Sequence, residues 1–481
     1  MRLPNAPVEP VSFLWNNTRI EGRKGDTVAA ALHAAGIRRL TPSRKFHEPR
    51  GLSGSFIAGH MATVDSVPNC RLDQMILRQG MEVVMQGVWP SPGFDLFRCA
   101  GLIPRKRLRG GFEHPTWIPD QSVFWHPWER MLAFAAGGAK PPKAAEGSVP
   151  EGNRIHADIV IIGGGSVGVA EARAAAETMS VSVVLVTQGT LSETLPKNVI
   201  VYPLHRVFAL YNGGRLVAAA PIDPREPALL IDADHVVLAT GARSTPPVVR
   251  GAALPGVLDA GLAMQLALDH GVAAGARVAV IGTSRRHDVT EQLETMGVHV
   301  VASFDVAAVA SIQGRGHVTG IETGDRSVPC DAVVHAGPWR PDPSLPFQAS
   351  WSGELRLTAG EVPDNVRVAG WASEAPEPVS FGARDQPDAH AFVCPCMDVT
   401  VEEVLTLVAR GTVHVEEIKR LTGCGMGPCQ GVPCWDLLAA VVGWATGKPT
   451  GTVGHPTYHP PRAALTFGQA AGLVDATEVA P

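Results

Sequence analysis

Five of the eight cysteines in the 481-residue chain lie between positions 394 and 434. They form two groups, Cys394 and Cys396 in VCPC and Cys424, Cys429 and Cys434 in GCGMGPCQGVPC. Thiolates in glycine-rich loops bind zinc or iron–sulfur clusters, and four sulfurs complete either kind of site. Core packing explains such cysteines poorly, and the C-x-x-C redox pair is absent. The spacing therefore predicts a metal centre built from two loops.

The two cysteine groups lie on either side of sequences that predict helices. Thr400 and Glu403 form the S/T-x-x-E pattern of a capping box, which starts a helix. A second short helix, HVEEIKRL, precedes the later cysteines, and a third, WDLLAAVVGWATG, follows them. Such helices can bring both loops together. The C-x-C spacing is unusual for zinc, whose ligand pairs are usually separated by two to four residues.

A glycine-rich turn follows the apolar run DIVII. Gly163, Gly165 and Gly168 form G-x-G-x-x-G, with Ser166 inside the motif. In a Rossmann unit the first glycine permits the tight turn, the second lets the backbone approach a pyrophosphate, and the third packs helix on strand. The N-terminus of the next helix favours the phosphate charge. The motif predicts a nucleotide site, and a Rossmann layer without a ligand is the alternative.

The surroundings of this turn depart from a standard dinucleotide site. The second strand ends in Thr187 and Gln188, where a carboxylate usually holds the ribose hydroxyls, although Gln188 can form one hydrogen bond. The A-T-G turn with Thr240 and Gly241 is retained. A second Rossmann-like unit begins at RVAVIGT, but its turn, Gly282–His287, lacks the later glycines. We expect a solvated basic turn there and no NAD.

The length of 481 residues predicts about two to four domains, the composition is that of a globular protein, and the apolar runs favour the α/β class. Charged residues make up 18% of the chain and the net charge is −5, which gives no reason to expect nucleic acid as a partner. Continuous apolar runs such as HVVLATGA and DAVVHAG predict parallel strands buried on both faces. No apolar run approaches the roughly 18 residues of a membrane span, and no signal peptide is evident, so we expect a cytoplasmic location.

The cysteine region resembles the module named for the bacterioferritin-associated ferredoxin. The version in the larger subunits of opine oxidases, hydrogen cyanide synthase and dye-linked amino-acid dehydrogenases is especially similar. The resemblance rests on C-x-C, a helical hairpin and the run IKRLTGCGMGPCQG followed by a last cysteine. That module binds [2Fe–2S], which implies ligands at Cys394, Cys396, Cys429 and Cys434. Cys424 falls where the pattern has no ligand.

The N-terminal region resembles the start of the α subunit of heterotetrameric sarcosine oxidase. The matching runs are GDTVAAALHAAG, SRKFHEPRGLSGSF and WPSPGFDL. Asn16-Asn17 predicts a hairpin turn and Asp26 a helix N-cap. The resemblance implies a β-grasp-like domain, which in several relatives carries a plant-type [2Fe–2S] cluster. Residues 50–80 hold only Cys70, and four sulfurs are needed, so we predict no cluster there.

These patterns divide the chain into four segments. Residues 1–134 are predicted as the β-grasp-like domain with an aromatic-rich extension, and 135–156 as a linker rich in Gly, Pro and Ala. Residues 157–392 are predicted as an FAD/NAD(P)-binding-like Rossmann domain, with the second Rossmann-like unit inserted at about 251–345. Residues 393–481 are predicted as the ferredoxin-like [2Fe–2S] domain.

The resemblance implies an oxidoreductase subunit in a heteromeric amine or amino-acid dehydrogenase or oxidase. Sarcosine, opines, proline and hydroxyproline exemplify the substrates of that superfamily. There an FAD-containing β subunit of the amino-acid-oxidase type removes a hydride beside the amine, a small ferredoxin-like subunit can be present, and an external acceptor takes the electrons. The chain itself would bind a nucleotide and relay electrons through [2Fe–2S]. No catalytic residue is predicted; six histidines are expected at the surface or an interface: His47, His60, His114, His126, His455 and His459.

One departure concerns flavin binding. Flavoproteins of this superfamily end a strand with Gly-Asp, whose carboxylate holds the ribityl chain, but here Gly370 is followed by Trp371, which cannot accept that hydrogen bond. The Gly163–Gly168 turn is expected to hold FAD or an adenine nucleotide such as ADP or ATP, and an empty turn is the alternative. Two other functions stay open: a non-catalytic scaffold with a degenerate flavin site, and a stand-alone NAD(P)H-dependent FAD/iron–sulfur reductase. The Gly282–His287 turn argues against the reductase.

Overall fold

The structure is a computed structural model, and its description covers most of the chain. The described residues are 1–3, 9–54, 60–102, 123–138, 151–178, 181–191, 193–223, 226–350, 361–384, 386–463 and 465–473. The strands of the first half are β1 (Pro10–Trp15), β2 (Thr18–Arg23), β3 (Thr41–Pro42), β4 (Pro49–Arg50), β5 (Met61–Val64), β6 (Val67–Arg71), β7 (Glu82–Met85), β8 (Pro90–Ser91), β9 (Phe94–Asp95), β10 (Asn153–Ile162), β11 (Val183–Val186), β12 (Val199–Tyr202), β13 (His205–Tyr211), β14 (Leu216–Pro221) and β15 (Leu229–Leu238).

The later strands are short, and most are parallel or belong to small hairpins. They are β16 (Ala242–Ser244), β17 (Val257–Asp259), β18 (Val278–Gly282), β19 (Val300–Asp305), β20 (Val309–Gly314), β21 (Val318–Thr323), β22 (Ser327–Pro329), β23 (Ala332–Ala336), β24 (Trp339–Pro341), β25 (Val366–Val368), β26 (Phe392–Cys394) and β27 (Val399–Thr400). The helices are α1 (Val28–Ala34), α2 (Trp125–Ala135), α3 (Ser166–Ala176), α4 (Ala260–His270), α5 (Arg286–Thr295), α6 (Ser344–Ala349), α7 (Val401–Ala409), α8 (Val415–Thr422), α9 (Cys434–Thr446), α10 (Thr450–Val453) and α11 (Phe467–Gly472).

The chain folds into two units, each assembled from three segments. The first unit combines Met1–Ala144, Ser244–Trp339 and Glu377–Pro456, and the second combines Ala145–Arg243, Arg340–Pro376 and Thr457–Pro481. The described residues after position 456 therefore group with the second unit, although the sequence predicts a single C-terminal domain over 393–481. Most of the predicted linker, 139–150, lies outside the described residues, and β10 already begins at Asn153.

The first unit starts with a five-stranded sheet in the order β2-β1-β7-β5-β6, with β1 and β7 parallel. Asn16 and Asn17 form the predicted hairpin turn, with φ of 49° and 65°. The N-cap of α1 is Thr27, whose side chain accepts a hydrogen bond from the N–H of Ala30, so the prediction of Asp26 as the cap is wrong. Asp26 instead accepts a hydrogen bond from the N–H of Arg23 at 2.8 Å.

A parallel sheet lies within residues 257–336 of the same unit. Its order is β17-β23-β18-β19, with α4 and α5 as connecting helices. Every residue of β18 and β23 is buried, as continuous apolar runs predict. The hairpins β20–β21 and β21–β22 form a separate antiparallel sheet.

The second unit is built on β10, which pairs in parallel with β11 on one side and with β15 on the other. β12 and β25 extend the parallel arrangement, and β13, β14 and β15 form an antiparallel meander. The glycine turn after β10 and the start of α3 follow this central strand directly. The sheet thus presents the predicted nucleotide-binding turn at the carboxyl ends of its parallel strands, where ligands of open α/β sheets bind.

The cysteine region of the first unit consists of the β26–β27 hairpin and helices α7 to α10. Thr400 is the N-cap of α7, and its hydroxyl accepts a hydrogen bond from the N–H of Glu403 at 3.3 Å, as predicted. Cys394 ends β26 and Cys434 begins α9. Among the helices in the described part of the chain, none combines the length and apolar character that a membrane span requires.

Candidate metal centre and nucleotide site

The four cysteines that the resemblance implies as ligands bring their sulfurs together, and the thiol of Cys424 also lies close enough to that of Cys394 to interact with it. The Sγ of Cys429 lies 3.1 Å from that of Cys396, 3.5 Å from that of Cys434 and 3.8 Å from that of Cys394. Cys394 and Cys396 are 3.5 Å apart, and the N–H of Gly425 points to the Cys394 sulfur at 3.4 Å. The two loops therefore meet at one group of sulfurs, and three of the four cysteines are buried.

The glycines between the cysteines are required by close packing. A Cβ at Gly425 or Gly431 would lie 2.0 Å or 2.4 Å from the indole of Trp435, and both glycines have positive φ. A Cβ at Gly427 would lie 2.8 Å from the Sγ of Cys396. The loop GCGMGPCQG thus wraps the Trp435 ring, and this packing sets where its cysteines point.

A buried carboxylate clamps the other cysteine loop. Asp398 accepts hydrogen bonds from the N–H groups of Lys45 and Phe46, at 2.9 and 3.0 Å, and from Nη2 of Arg50 at 2.8 Å. Nε of Arg50 also donates to the carbonyl of Pro395 at 3.0 Å. The run SRKFHEPR near the N-terminus is therefore a structural support for VCPC, which holds two of the predicted ligands.

Hydrogen bonds among the clustered thiols shift the pKa of Cys394 and the pKa values of its neighbours in opposite directions. Burial opposes the ionisation of Cys394, but hydrogen bonds from Cys396, Cys424, Cys429 and Cys434 outweigh it and lower the pKa of Cys394 well below its usual value. Hydrogen bonding to that thiolate raises the pKa of Cys424, Cys429 and Cys434 well above the usual value. Further ionisation therefore requires a cation, as in metal–thiolate sites. The donor set fits a [2Fe–2S] cluster.

A cavity of about 610 Å³ opens beside these sulfurs within the first unit. Cys396, Cys429 and Cys434 contribute to its wall, and alanines and prolines make up much of the remainder. Arg44, an exposed residue, also lines it. A space of this volume can accommodate a small organic molecule.

The predicted glycine turn of the second unit has the form that a pyrophosphate site needs. Gly163 has φ of 117°, and a Cβ there would lie 2.3 Å from the carbonyl oxygen of Ala239. A Cβ at Gly168 would lie 1.8 Å from the carbonyl oxygen of Gly163. A Cβ at Gly165 would meet nothing within 4 Å, and Gly165 and Ser166 are exposed. The first and third glycines are therefore packed, and the second faces open space where a ligand can approach.

The sequence analysis missed two residues next to this turn. Gly164 packs against the end of β11, since a Cβ there would lie 2.4 Å from the hydroxyl oxygen of Thr187. Arg206 at the start of β13 donates from Nη2 to Oε1 of Gln188 at 3.2 Å. The run of three glycines, 163–165, could have indicated the role of Gly164. The role of Arg206 depends on how β13 is placed beside β11.

Two further predicted features also lie at the turn. The backbone N of Thr240 lies beside Gly163, because a Cβ added to Gly163 would be 3.4 Å from it. Gly241 has a positive φ of 69°. Gly370, with φ of 60°, packs against the side chain of Val167 in the first turn of α3. Trp371 follows it in a 3-10 turn. The structure therefore places Gly370 and Trp371, which stand where flavoproteins of the superfamily have Gly-Asp, next to the glycine turn.

The second Rossmann-like turn is occupied by a side chain of the protein. The carboxylate of Glu377 accepts hydrogen bonds from the hydroxyls of Thr283 at 2.5 Å and Ser284 at 2.9 Å. It also accepts the N–H of Trp339 at 2.9 Å. Donors that a phosphate would use are thus engaged by Glu377, which agrees with the absence of the later glycines in Gly282–His287.

The basic residues of that turn are not simply solvated. Arg286 is 15% exposed and its Nη1 lies 3.7 Å from a carboxylate oxygen of Asp305. Arg285 lies 3.5 Å from Asp288. The expectation of a solvated basic turn is therefore wrong for Arg286, because β19 ends in an acidic residue that faces it.

The six histidines fall into different environments. His47 and His60 are buried, against expectation: His47 lies 3.0 Å from Asp95, and Nδ1 of His60 lies 2.9 Å from the hydroxyl of Thr41. His126 and His459 are exposed, and His455 pairs with a carboxylate of α9 at 3.2 Å. His114 lies outside the described residues.

Comparison with known proteins bears on the whole chain. Over 96% of its length it is 26% identical to the alpha subunit of sarcosine oxidase from Rhizobium meliloti (strain 1021), in an alignment of 572 residues. The chain spans 58% of the relative's length. Residues 388–473 match the family model of the sarcosine oxidase A3 domain. This segment of the chain contains all five clustered cysteines.

A shorter relative and a solved structure are also similar to this chain. An opine oxidase subunit of Rhizobium meliloti (strain 1021) is 30% identical over 89 residues, which are 18% of this chain and 19% of that protein. The crystal structure of L-proline dehydrogenase from P. horikoshii shares the fold with a TM-score of 0.73 and 21% identity, over 98% of this chain and 99% of that one. The predicted α/β fold class is thus confirmed.

The N-terminal domain also has a match. Residues 8–87 match the family model of a 2Fe-2S iron-sulfur cluster binding domain. That segment contains Cys70 as its one cysteine, whereas such a cluster needs four ligands. The match therefore describes the fold of this domain, and the cysteine cluster lies elsewhere in the chain.

Proposed function

We propose that the chain is the nucleotide-binding, electron-transferring subunit of a heteromeric FAD-dependent dehydrogenase or oxidase of an amine or amino acid. The proposal assigns a [2Fe–2S] cluster to Cys394, Cys396, Cys429 and Cys434, and FAD or an adenine nucleotide to the Gly163–Gly168 turn. Substrate oxidation belongs to an FAD-containing β subunit of the amino-acid-oxidase type, and an external acceptor receives the electrons. A [2Fe–2S] cluster, when bound, takes up and releases single electrons.

The observation that carries the proposal is the convergence of four thiols from two loops. The residues of the chain orient these thiols and limit their access to water. Asp398 and Arg50 hold VCPC, and the Trp435 ring fixes the second loop from one side. Cys396, Cys429 and Cys434 line the cavity, so a small molecule can approach the centre, which suits a centre that exchanges electrons. Homology to oxidase subunits supports the same function.

The test is purification of the tagged full chain from its native host. Iron, acid-labile sulfide and zinc are measured, the released nucleotide is identified by mass spectrometry, and co-purifying chains are identified. The expected result is about two irons and two sulfides per chain, an adenine-containing nucleotide and an oxidase-like partner. Zinc in place of iron, or a chain that purifies without a partner, would contradict the proposal.

The two alternatives make different use of the same features. A non-catalytic scaffold is favoured by the Gly370-Trp371 substitution, and it predicts a chain that binds no flavin and keeps its cluster for structure or sensing. A stand-alone NAD(P)H-dependent reductase would need a nicotinamide nucleotide at the Gly282–His287 turn, whose hydroxyls are engaged by Glu377. We therefore place the reductase last.

A further inference from the structure

The corner beside the first glycine turn has the opposite charge to that of a standard dinucleotide site. In such a site a carboxylate at the end of the second strand accepts hydrogen bonds from the ribose hydroxyls. Here β11 is followed by Thr187 and Gln188, and Gly164 of the turn packs directly on Thr187. Nη2 of Arg206 donates to Oε1 of Gln188 at 3.2 Å. A guanidinium therefore lies at the position that normally meets the ribose.

Arg206 belongs to a cluster of guanidinium groups within the second unit. Burial and the neighbouring charges of Arg243 and Arg206 lower the pKa of the Arg462 guanidinium to about 9. Asp342 pairs with Arg462 and lies 3.8 Å from Arg243. Nε of Arg462 is buried and makes no hydrogen bond with the described residues. Asp342 offsets one of these three positive charges, so the cluster keeps a net positive charge that favours an anion, and guanidinium groups suit phosphate because of their planar, paired donors.

We propose that the nucleotide at the Gly163–Gly168 turn carries a phosphate on the ribose 2′-oxygen, which Arg206 and Gln188 recognise. This inference rests on the proposed nucleotide site and narrows its ligand to a 2′-phosphorylated adenine nucleotide. The pyrophosphate lies at the open face of Gly165, and the 2′-phosphate lies towards Arg206. An arginine in place of the strand-end carboxylate is the arrangement by which Rossmann units accommodate a 2′-phosphate.

The test compares two probes that differ only in this group. Adenosine 5′-monophosphate and adenosine 2′,5′-bisphosphate are titrated into the full chain by calorimetry, with FAD as a third ligand. One charge-assisted hydrogen bond corresponds to roughly tenfold to hundredfold in affinity, so the bisphosphate is expected to bind at least about tenfold more tightly. The preference should weaken as salt concentration rises.

Two variants locate the preference. Arg206→Gln should remove it, because the affinity for the bisphosphate should fall much further than the affinity for the monophosphate. Gln188→Glu restores the usual carboxylate and should reverse the preference, because the carboxylate repels the 2′-phosphate and accepts the free hydroxyl. Arg154→Gln is the matched control, because Arg154 is an exposed arginine of the same sheet that pairs with Asp232 at 2.8 Å. That control should bind both probes as the unaltered chain does.

The outcomes separate this inference from the proposed function. Equal affinities for the two probes, or FAD binding more tightly than the bisphosphate, would overturn the 2′-phosphate assignment and leave a nucleotide site in place. Failure of all three ligands to bind the unaltered chain would overturn the nucleotide site itself. If Arg206→Gln does not fold, an unchanged preference in Gln188→Glu would still refute the assignment.

Discussion

The carboxylate of Asp398 is the clearest place to test how the N-terminal motif supports the cysteine loop. The change is Asp398→Asn, which keeps the shape of the side chain and removes its charge. In the structure Oδ2 accepts two backbone N–H groups and Oδ1 accepts Nη2 of Arg50. An amide has one acceptor oxygen, so its NH₂ group must face a donor on one side or the other.

The expected loss follows from the burial of this pair. The Asp398 side chain is 0% exposed and that of Arg50 is 10% exposed, so solvent screening is weak. Breaking a buried ion pair by neutralising one partner costs about 3 kcal/mol or more. At about 1.4 kcal/mol for each factor of ten, local opening should become roughly a hundredfold more frequent. Arg50 keeps its bond to the Pro395 carbonyl, which makes the lower figure the appropriate one.

Hydrogen exchange of the loaded protein measures this opening directly. The amides of Lys45 and Phe46 donate to Asp398, so their exchange should accelerate by about two orders of magnitude, together with that of the loop after Cys394. Asp232→Asn is the control, because its ion pair with Arg154 is exposed and should change exchange by only a few fold. Acceleration of less than about fivefold at both amides would refute the reasoning that this carboxylate fixes the loop.

Three other predictions concern the thiols, the second turn and buried histidines. Cys429→Ser should abolish bound iron and sulfide while Cys424→Ser retains both; the reverse pattern in an iron assay would show that the ligand assignment is wrong. Glu377→Gln should accelerate amide exchange of Trp339 by about tenfold, since one charge-assisted bond is weakened, and unchanged exchange would contradict a role for this carboxylate in the turn. Burial lowers the pKa of His33 and His335 to about 3 and that of His60 to about 4. Above pH 4 these histidines are therefore neutral in the folded protein, whereas in the unfolded chain they bind protons below about pH 6.5. The free energy of unfolding of the first unit should therefore fall between pH 6.5 and 4 by up to about 1.4 kcal/mol per pH unit for each histidine, and an unfolding free energy unchanged from pH 7 to pH 5 would count against this.

Features that depend on short stretches of sequence were predictable. The parallel strands follow from continuous apolar runs, and Gly163, Gly165 and Gly168 follow from the steric needs of one turn. The cysteine spacing likewise predicted a metal centre built from two loops, whereas the choice of four ligands came from the resemblance to the ferredoxin module and stays a prediction. The helix cap was assigned one residue too early, to Asp26 instead of Thr27, because both residue types can accept the same N–H groups and only the fold decides between them.

Residues whose role depends on a distant partner were not predictable. Asp398 meets Arg50 across 348 residues of sequence, and Glu377 meets Thr283 across 94. Arg206 contacts Gln188 across 18 residues, and only because β13 starts beside the end of β11. Each is an ordinary charged residue in its local sequence, so no periodicity or motif identifies it before the strands are placed.

The two glycine turns differ from a standard dinucleotide-binding turn in opposite ways. The first has lost a negative charge and the second has gained one, so they should differ in their ability to bind a phosphate. In the first, the carboxylate expected at the strand end is replaced by Gln188 with Arg206, so negative charge has been removed from the ribose corner while the phosphate position stays open. In the second, Asp305 still ends the strand, but Glu377 has placed a carboxylate on the donors of the turn itself. A phosphate at the second turn would have to displace the Glu377 carboxylate and would lie near that of Asp305. A phosphate at the first turn would meet exposed backbone at Gly165 and the guanidinium group of Arg206. On electrostatic grounds the first turn is therefore the better of the two for the nucleotide that we propose.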